Sequence, residues 1–442
     1  MRRGNTTPGT PTSLREANRG RIVDAVKRFG GLTQVELAAA TGLSTATVST
    51  IVRELLDAGV VETHATSRSG RRAVKVTMAR RLGLVAGVEV GPRALRVALG
   101  DLTLSVVADQ TMPLPSDHRS DTTLDRAALL VVDLLDRVGA ELDELLAIGL
   151  AMPGPVDSAT GEVTVRGVLR GWDDLHVGQV LSKRLARPVH VDKDANLAAL
   201  AEHDLGAARE HHDSVYVRVG HTTSAGLVLG DRLHRGYAGT AGEIGHVQVD
   251  PAGPVCRCGN RGCLDTVVGA QALLGSLRSS HGDLTLRDLI AHAGEGDPGC
   301  RRVVADAGRA VGEVVAGLVT VLNPQVVVVG GELARTGDVL LDPLRTAILT
   351  HAIPGRLAPV EVVPAALGDR AEVLGALALA RQQTDVQHAH LLRHGHGDDA
   401  LSGTGSGAGS GPRSGAGLGE GDDVGHPGTQ RADGGAHESE AS

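Results

Sequence analysis

Thr33-Gln-Val-Glu-Leu-Ala-Ala-Ala-Thr-Gly-Leu-Ser-Thr-Ala-Thr-Val-Ser-Thr-Ile-Val-Arg-Glu-Leu-Leu56 reads as two short helices about a tight turn. The Thr33 hydroxyl is placed to accept from the Glu36 amide, and the Glu36 carboxylate to reach back to the Thr33 amide, so a capping box starts a helix at Gln34. That helix is expected to carry Val35, Leu37 and Ala38 inward and to end before Gly42. Ser44 then caps a second helix, in which Val48, Ile51, Val52, Leu55 and Leu56 recur at the spacing of a buried stripe. Helix, glycine-containing turn, helix is the pattern of a helix-turn-helix.

Around this stretch the chemistry suits nucleic acid. Thr45, Ala46, Thr47, Ser49 and Thr50 face away from the stripe, with Arg53 further along. Small hydroxyl side chains let a helix lie deep in a major groove and meet base edges and phosphates. Gln34 and Ser44, at the starts of the two helices, complete the expected contacts. Downstream, Val60-Val61, Ser69-Gly-Arg-Arg72 and Val74-Lys-Val-Thr77 read as two strands around a basic tip, a wing whose Arg71 and Arg72 reach phosphates or a narrow minor groove. Residues 1–81 hold 14 Lys+Arg against 6 Asp+Glu, a net +8, so the remaining 361 residues carry -16. A basic head on an acidic body fits a binding module joined to a non-binding one. Winged helices also bind proteins, so a scaffold with a protein partner is the competing reading of these residues alone.

The whole chain has 442 residues, enough for two or three domains at roughly 150 residues each. Apolar content is 41% but aromatic content only 1%, so the cores must be built from Val, Leu and Ala. The N-terminus is polar with no apolar h-region, and no apolar run nears the roughly 20 residues of a membrane helix. The expectation is a cytoplasmic protein with no membrane partner. Residues 1–13 are Thr/Pro/Gly-rich and expected to be disordered, residues 14–81 form the winged head, and residues 82–384 form a second domain. From 385 to 442 Gly, Ser, His and Asp displace apolar residues, so this tail cannot offset its ordering entropy, and His388, His390, His394 and His396 read as solvated.

In the second domain, Leu84–Val90 and Leu95–Leu99 alternate like strands, followed by a helix over Thr123–Val138 and a strand at Leu146–Leu150. Val189–Val191 leads into a helix over Ala195–Leu205. The logic then repeats: paired strands at Ser214–Val219 and Gly226–Leu229, a long helix over Cys300–Leu322, and the buried strand Val326–Val329 before Gly330-Gly331. Strands and helices alternating in two successive halves predict an α/β domain with two lobes.

Between the halves, His246, Cys256, Cys258 and Cys263 place an imidazole and three thiols within 18 residues. A closed Cys3His set suits tetrahedral zinc and leaves no position for a reacting water, so structural Zn2+ is the expected cofactor. Gly253, Gly259 and Gly262 permit the turns such a knot needs. A metal-free loop of reduced cysteines and a redox switch are the alternatives. Cys300 stands apart on a helix and reads as core.

Further motifs carry a resemblance. Leu14-Arg-Glu-Ala-Asn18, Pro153-Gly-Pro-Val-Asp157, Val191-Asp-Lys-Asp-Ala-Asn196 with Ala201-Glu202, Ala241-Gly-Glu-Ile-Gly-His246, the cysteine cluster, and Asn323-Pro324 before Val-Val-Val-Val-Gly-Gly331 stand in one order. Over roughly Leu14 to Arg381 the chain resembles the ROK family, which groups bacterial sugar kinases with sugar-responsive repressors, and the first of these motifs resembles its regulator branch. The resemblance implies a two-lobed actin-like ATPase fold, related to ROK sugar kinases, with a sugar cleft between the lobes. It implies that Asp194 stands at the kinases' general-base position and that Glu243 and His246 bind sugar hydroxyls, His246 sharing its ring between metal and ligand. Asp265 stands where the family has a sugar-binding Glu.

Departures from the kinase pattern are equally informative. Kinases of this family carry Asp-x-Gly-Gly-Thr at the first β-turn, whose amides cradle phosphate. Here Glu89-Val-Gly-Pro-Arg93 loses an amide to Pro92 and gains the bulk of Arg93. The second loop, Gly220-His-Thr-Thr-Ser-Ala-Gly226, lacks the middle Gly of Gly-Thr-Gly-x-Gly. Phosphoryl transfer depends on positioning and charge neutralisation, so no enzyme activity is expected. Lys193 replaces an Asn, and Val168 stands near another sugar-contacting Asn position. A cation there either favours an anionic ligand or pairs with an acid. The expectation is a repressor that binds operator DNA as a homodimer or homotetramer and takes a sugar or sugar derivative as effector. The alternative is an ATP-dependent, glucokinase-like sugar kinase with an appended head.

Overall fold

The computed structural model describes residues 11–68, 71–79, 82–115, 118–157, 160–162, 172, 175–353 and 359–384. The expected disordered tail, residues 1–10, and Val168 therefore lie outside the described residues, and Arg71 and Arg72 are placed as strand backbone only.

Helix α1 (Pro11–Phe29) starts with proline, whose missing N–H costs nothing in a first turn, and so begins ahead of the boundary expected at Leu14. Strand β1 (Leu32–Thr33) leads into α2 (Gln34–Thr41). The capping box is formed: Glu36 N donates to Thr33 Oγ1 at 3.3 Å and Thr33 N to Glu36 Oε2 at 2.8 Å. Gly42, at φ 70°, closes α2 in the left-handed conformation a turn requires. Thr47 N donates to Ser44 Oγ at 3.1 Å, capping α3 (Thr45–Asp57), and Val48, Ile51, Val52 and Leu55 are buried. Leu37 is buried as expected, but Val35 is 71% exposed. At about 100° per residue, a position two before Leu37 lies on the far side of so short a helix. The wing is β2 (Val61–Arg68) against β3 (Arg71–Met78), and the sheet order is β1-β3-β2.

The first lobe comprises β4 (Leu84–Val90), β5 (Ala94–Asp101), β6 (Val106–Pro113), α4 (Ser120–Val138), β7 (Leu145–Met152), α5 (Val177–Leu185) and β8 (Val189–Lys193). Its sheet runs β6-β5-β4-β7-β8, with β4–β6 antiparallel and β7 and β8 added in parallel. After α6 (Asp194–Asp204) the second lobe repeats the plan: β9 (Ser214–Val219), β10 (Thr223–Leu229) and β11 (Arg232–His234) pair antiparallel. Then α7 (Asp265–Val268), α8 (Ala270–His281), α9 (Leu286–Glu295) and α10 (Pro298–Leu322) precede β12 (Val326–Gly330), α11 (Asp338–His351), β13 (Glu361–Pro364) and α12 (Ala371–Gln383). The order β11-β10-β9-β12-β13 matches the first sheet strand for strand, with β12 and β13 parallel. This duplicated α/β plan is the one the resemblance implied.

Two helices sit between the sheets. Helix α12 packs on β4 and β7, α6 packs on β9 and β10, and the two pack on each other. A Cβ on Gly149 of β7 would fall 1.9 Å from Ala376 O, and one on Gly375 of α12 would fall 1.8 Å from Leu197 O of α6. Only glycine lets these backbones touch, and the contact fixes where the ends of both helices lie.

Candidate functional site

The strand-to-helix turn between β8 and α6 delivers two of the expected ligand residues. Lys193 ends β8 and Asp194 begins α6. Lys193 is 1% exposed, and its Nζ donates to Glu243 Oε1 at 2.8 Å and to the Ala241 carbonyl at 3.0 Å. Of the two roles the sequence left open, Lys193 takes the second: it pairs with an acid. Burial raises the Asp194 carboxyl above its ordinary range, against the pull of Arg218 and Lys193. Asp265, the first residue of α7, accepts the Thr223 amide at 2.7 Å and abuts Gly245, so it anchors both neighbouring loops. Burial raises its carboxyl too, opposed by that amide and by His246. The loop from Ala241 to His246 thus meets Lys193 and Asp265 in one cleft.

Across the cleft, on the side of the two phosphate loops, the side chains form a closed charge network. Arg218 of β9 lies 3.2 Å from Glu332, 3.4 Å from Glu372 and 4.0 Å from Asp194. Glu332 follows Gly330-Gly331, and its Oε2 rests on the second loop so closely that a Cβ on Gly220 would fall 1.8 Å away. Burial opposes ionisation of Glu332, but Arg218 and His221 (Nδ1 at 3.1 Å) hold its carboxyl down at about 2. The Glu332 carboxylate therefore lies against Gly220, at the start of the second loop. At the first loop, Glu89 takes Arg96 at 2.6 Å, while burial and nearby Glu372 push it up to about 8. Arg93 is exposed. Arg218, Glu332 and Glu372 were not among the residues picked out by sequence. Glu332 had a signal, a charged side chain directly after a glycine pair.

The four expected metal ligands converge. His246 Nδ1 is 3.6 Å from Cys256 Sγ, Cys258 Sγ is 3.7 Å from Cys263 Sγ, and all four ligand atoms lie within 4.8 Å of one another. Two thiolates on one tetrahedral zinc stand about 3.8 Å apart, given Zn–S bonds of about 2.3 Å, so the donor set fits the ion in type and spacing. Burial and the neighbouring sulfurs push the Cys263 thiol up to about 12, the condition a divalent cation reverses. His246 turns Nδ1 to the Cys256 sulfur.

In the head, Thr45 and Thr50 are exposed, Gln34, Thr47 and Ser49 half-buried, and Arg53 exposed, so the expected DNA face stands clear of the core. Three hydroxyls there are already engaged: Ser44 Oγ and Thr47 Oγ1 lie 2.8 Å apart, and Thr50 Oγ1 donates to the Ala46 carbonyl at 3.0 Å. Arg15 and Glu54 pair across α1 and α3. Arg71 pairs with Arg68 at the tip of the wing.

Comparison with known proteins agrees with this geometry. The ROK family pattern matches residues 85–383, and a MarR family pattern matches residues 16–73. The chain is 30% identical over 404 residues to the N-acetylglucosamine repressor of Escherichia coli O6:H1, covering 88% of this chain and 98% of that protein. The crystal structure of a ROK family transcriptional regulator, a homolog of the E. coli MLC protein, superposes with a TM-score of 0.69 at 26% identity, over 86% of this chain and 98% of that one. A ROK family glucokinase from Streptomyces griseus, solved with glucose and AMPPNP, superposes with a TM-score of 0.60 at 27% identity, over 68% of this chain and all of its own.

Proposed function

The chain belongs to the ROK family, and from that premise we infer that it is a sugar-responsive DNA-binding repressor. The observation that carries this reading is Glu332 seated on the second phosphate loop: the cleft keeps its sugar side while its phosphate side is filled by the protein's own charges. A charged carboxylate on that loop repels the phosphates of a nucleotide, and Arg218, which would attract them, is already matched by acids. The cleft then binds without phosphoryl transfer.

The effector is a sugar or sugar derivative. Because Lys193 is matched by Glu243, the cleft offers hydroxyl partners (Asp194, Glu243, His246 and the second oxygen of Asp265) and favours a neutral ligand. His246, Cys256, Cys258 and Cys263 would hold zinc as a structural ion, which would fix the orientation of the imidazole. The head reads operator DNA through α3, with Thr45, Thr47, Ser49, Thr50 and Arg53, while Gln34, Ser44, Arg71 and Arg72 take phosphates. No single helix among the described residues is long and apolar enough to cross a membrane. The protein acts in the cytoplasm as a homodimer or homotetramer, matching its heads to two half-sites.

The decisive experiment is a gel shift with full-length protein on DNA upstream of its own gene, with and without a panel of sugars. A specific complex at physiological salt, weakened by one of the sugars, is the expected result; no specific complex overturns the reading. The glucokinase likeness favours a second reading, a kinase with an appended head. ADP release above background with any sugar of the panel would establish it.

A further inference from the structure

Helices α6 and α12 lie side by side, both running away from the cleft, and their far ends carry the DNA-binding head. At the near end Asp194 opens α6 and Glu372 stands in the first turn of α12, both within 4.0 Å of Arg218. Midway, Gly375 lies against the Leu197 carbonyl. At the far end, Arg381 of α12 donates to Asp204 of α6 at 2.7 Å. The residue offset between facing positions barely changes along the pair, so the helices are parallel and in fixed register. Glu202, near the far end of α6, accepts the Leu367 amide at 2.8 Å from the segment that leads into α12.

The head is seated on that far end. Arg381 is 1% exposed and also donates to the Arg28 carbonyl at 3.5 Å, at the close of α1. Lys27 Nζ donates to the Thr384 carbonyl, directly after α12, at 2.6 Å. Arg28 donates to the Gly230 carbonyl at 3.2 Å, and its side chain faces Asp231, which also takes His212 at 2.7 Å. Around these bonds the apolar core is continuous: Ile22, Val23 and Val26 of α1 belong to the same buried cluster as Leu200 and Ala201 of α6 and Leu374 and Leu377 of α12. The joint is not fully satisfied, since Arg381 Nε is buried without a hydrogen-bond partner.

We propose that Arg381 and Asp204 are positioning residues for the DNA-binding head, and that the α6–α12 pair is the rod through which the cleft sets the head's seating. This deepens the regulatory reading and rests on it. The physical case has three parts. Helices with touching backbones do not slide independently. Helix α6 spans about 16 Å at 1.5 Å per residue, so a small tilt at Asp194 is delivered undamped at Asp204. The side-chain hydrogen bonds of Lys27 and Arg28 reach from α1 to this end and to the neighbouring β10–β11 turn.

Amide exchange on the full-length protein tests this without operator or effector. Two isosteric substitutions perturb opposite ends, Glu372→Gln at the cleft and Asp204→Asn at the joint. Coupling is reciprocal, so each is expected to change exchange at both ends, by at least about threefold, at α1 amides near Lys27–Phe29 and in the Gly242–His246 loop. Amides of α10, remote from the rod, serve as the internal control and are expected to be unchanged. Changes confined to the substituted end, or an equal rise in α10, overturn the proposal. Arg381→Lys keeps the charge pair and is expected to retain wild-type exchange at α1, where a purely packing role would not be rescued. If Asp204→Asn fails to fold, Lys27→Met replaces it at the joint with the same expected pattern. A failed gel shift would overturn the repressor reading and leave these exchange results standing.

Discussion

Lys193 Nζ and Glu243 Oε1 face each other at 2.8 Å in the cleft, joining the end of β8 to the loop that carries His246. The Lys193 side chain is 1% exposed and that of Glu243 21%, so removing the lysine leaves a partly desolvated carboxylate without its partner. Lys193→Met is expected to lower unfolding free energy by about 1–3 kcal/mol, and the double substitution Lys193→Met, Glu243→Gln by less than the sum of the two single ones. Urea unfolding of the four proteins decides it; additive losses would show that the pair has no coupling.

Much of this site was legible before any coordinates. The capping box at Thr33 and Glu36, the cluster of His246 with Cys256, Cys258 and Cys263, and the turn that places Lys193 beside Asp194 all act locally, so spacing carries them. Helix α12 was not read from its sequence. Ala-Glu-Val-Leu-Gly-Ala-Leu-Ala-Leu-Ala-Arg381 is buried on every face and has no period for a pattern to find. The Arg218 network was illegible for a different reason: its members come from β4, α6, β9, the turn after β12, and α12, and only the closed fold assembles them. Val35 shows the converse error, a hydrophobe assigned inward by type when helix phase puts it outside.

Glu332 gives a prediction about nucleotides. With its carboxylate on the second phosphate loop, Mg-AMPPNP at millimolar concentration is expected to leave the melting temperature unchanged, since a ligand stabilises only in proportion to its occupancy. Thermal shift against a nucleotide titration checks this. A saturable rise in melting temperature would mean the loop is open to phosphate and return the kinase reading to contention.

The cysteine knot should behave as a staple. Zinc content by elemental analysis is expected at about one per chain, falling in Cys256→Ser, whose side chain is buried in the knot. Chelation is expected to lower the melting temperature and to weaken sugar binding together, because His246 serves both ion and cleft. Metal removal that lowers stability and leaves sugar affinity intact would separate the two roles.

The wing offers a salt-dependence test. Removing one cation that neutralises a phosphate should reduce the magnitude of the slope of log affinity against log salt by about one. Arg71→Ala with Arg72→Ala is expected to weaken all DNA sequences alike and flatten that slope, while Arg53→Ala and Thr47→Ala are expected to relax preference among operator variants. Binding titrations at several salt concentrations separate these outcomes, and an unchanged slope in the wing variant would remove Arg71 and Arg72 from the interface.

Glu89 makes stability depend on pH. Burial and Glu372 push its folded-state value up to about 8 from an ordinary 4.5, despite Arg96. Between those limits the native protein holds a proton that the unfolded chain releases, so the native state binds more protons and stability falls as pH rises. The contribution is fully present below about 4.5, declines through the window, and is lost by about 8, with a limiting slope of about 1.4 kcal/mol per pH unit for one unshared proton. Glu332 and the other cleft carboxylates also titrate with folding, so the wild-type curve alone does not isolate the effect. Glu89→Gln does, because it keeps the shape and fixes the neutral state. Urea unfolding from pH 5 to 8 is expected to show the variant gaining on wild type as pH rises, and parallel curves would mean that Glu89 is ionised in the fold at neutral pH.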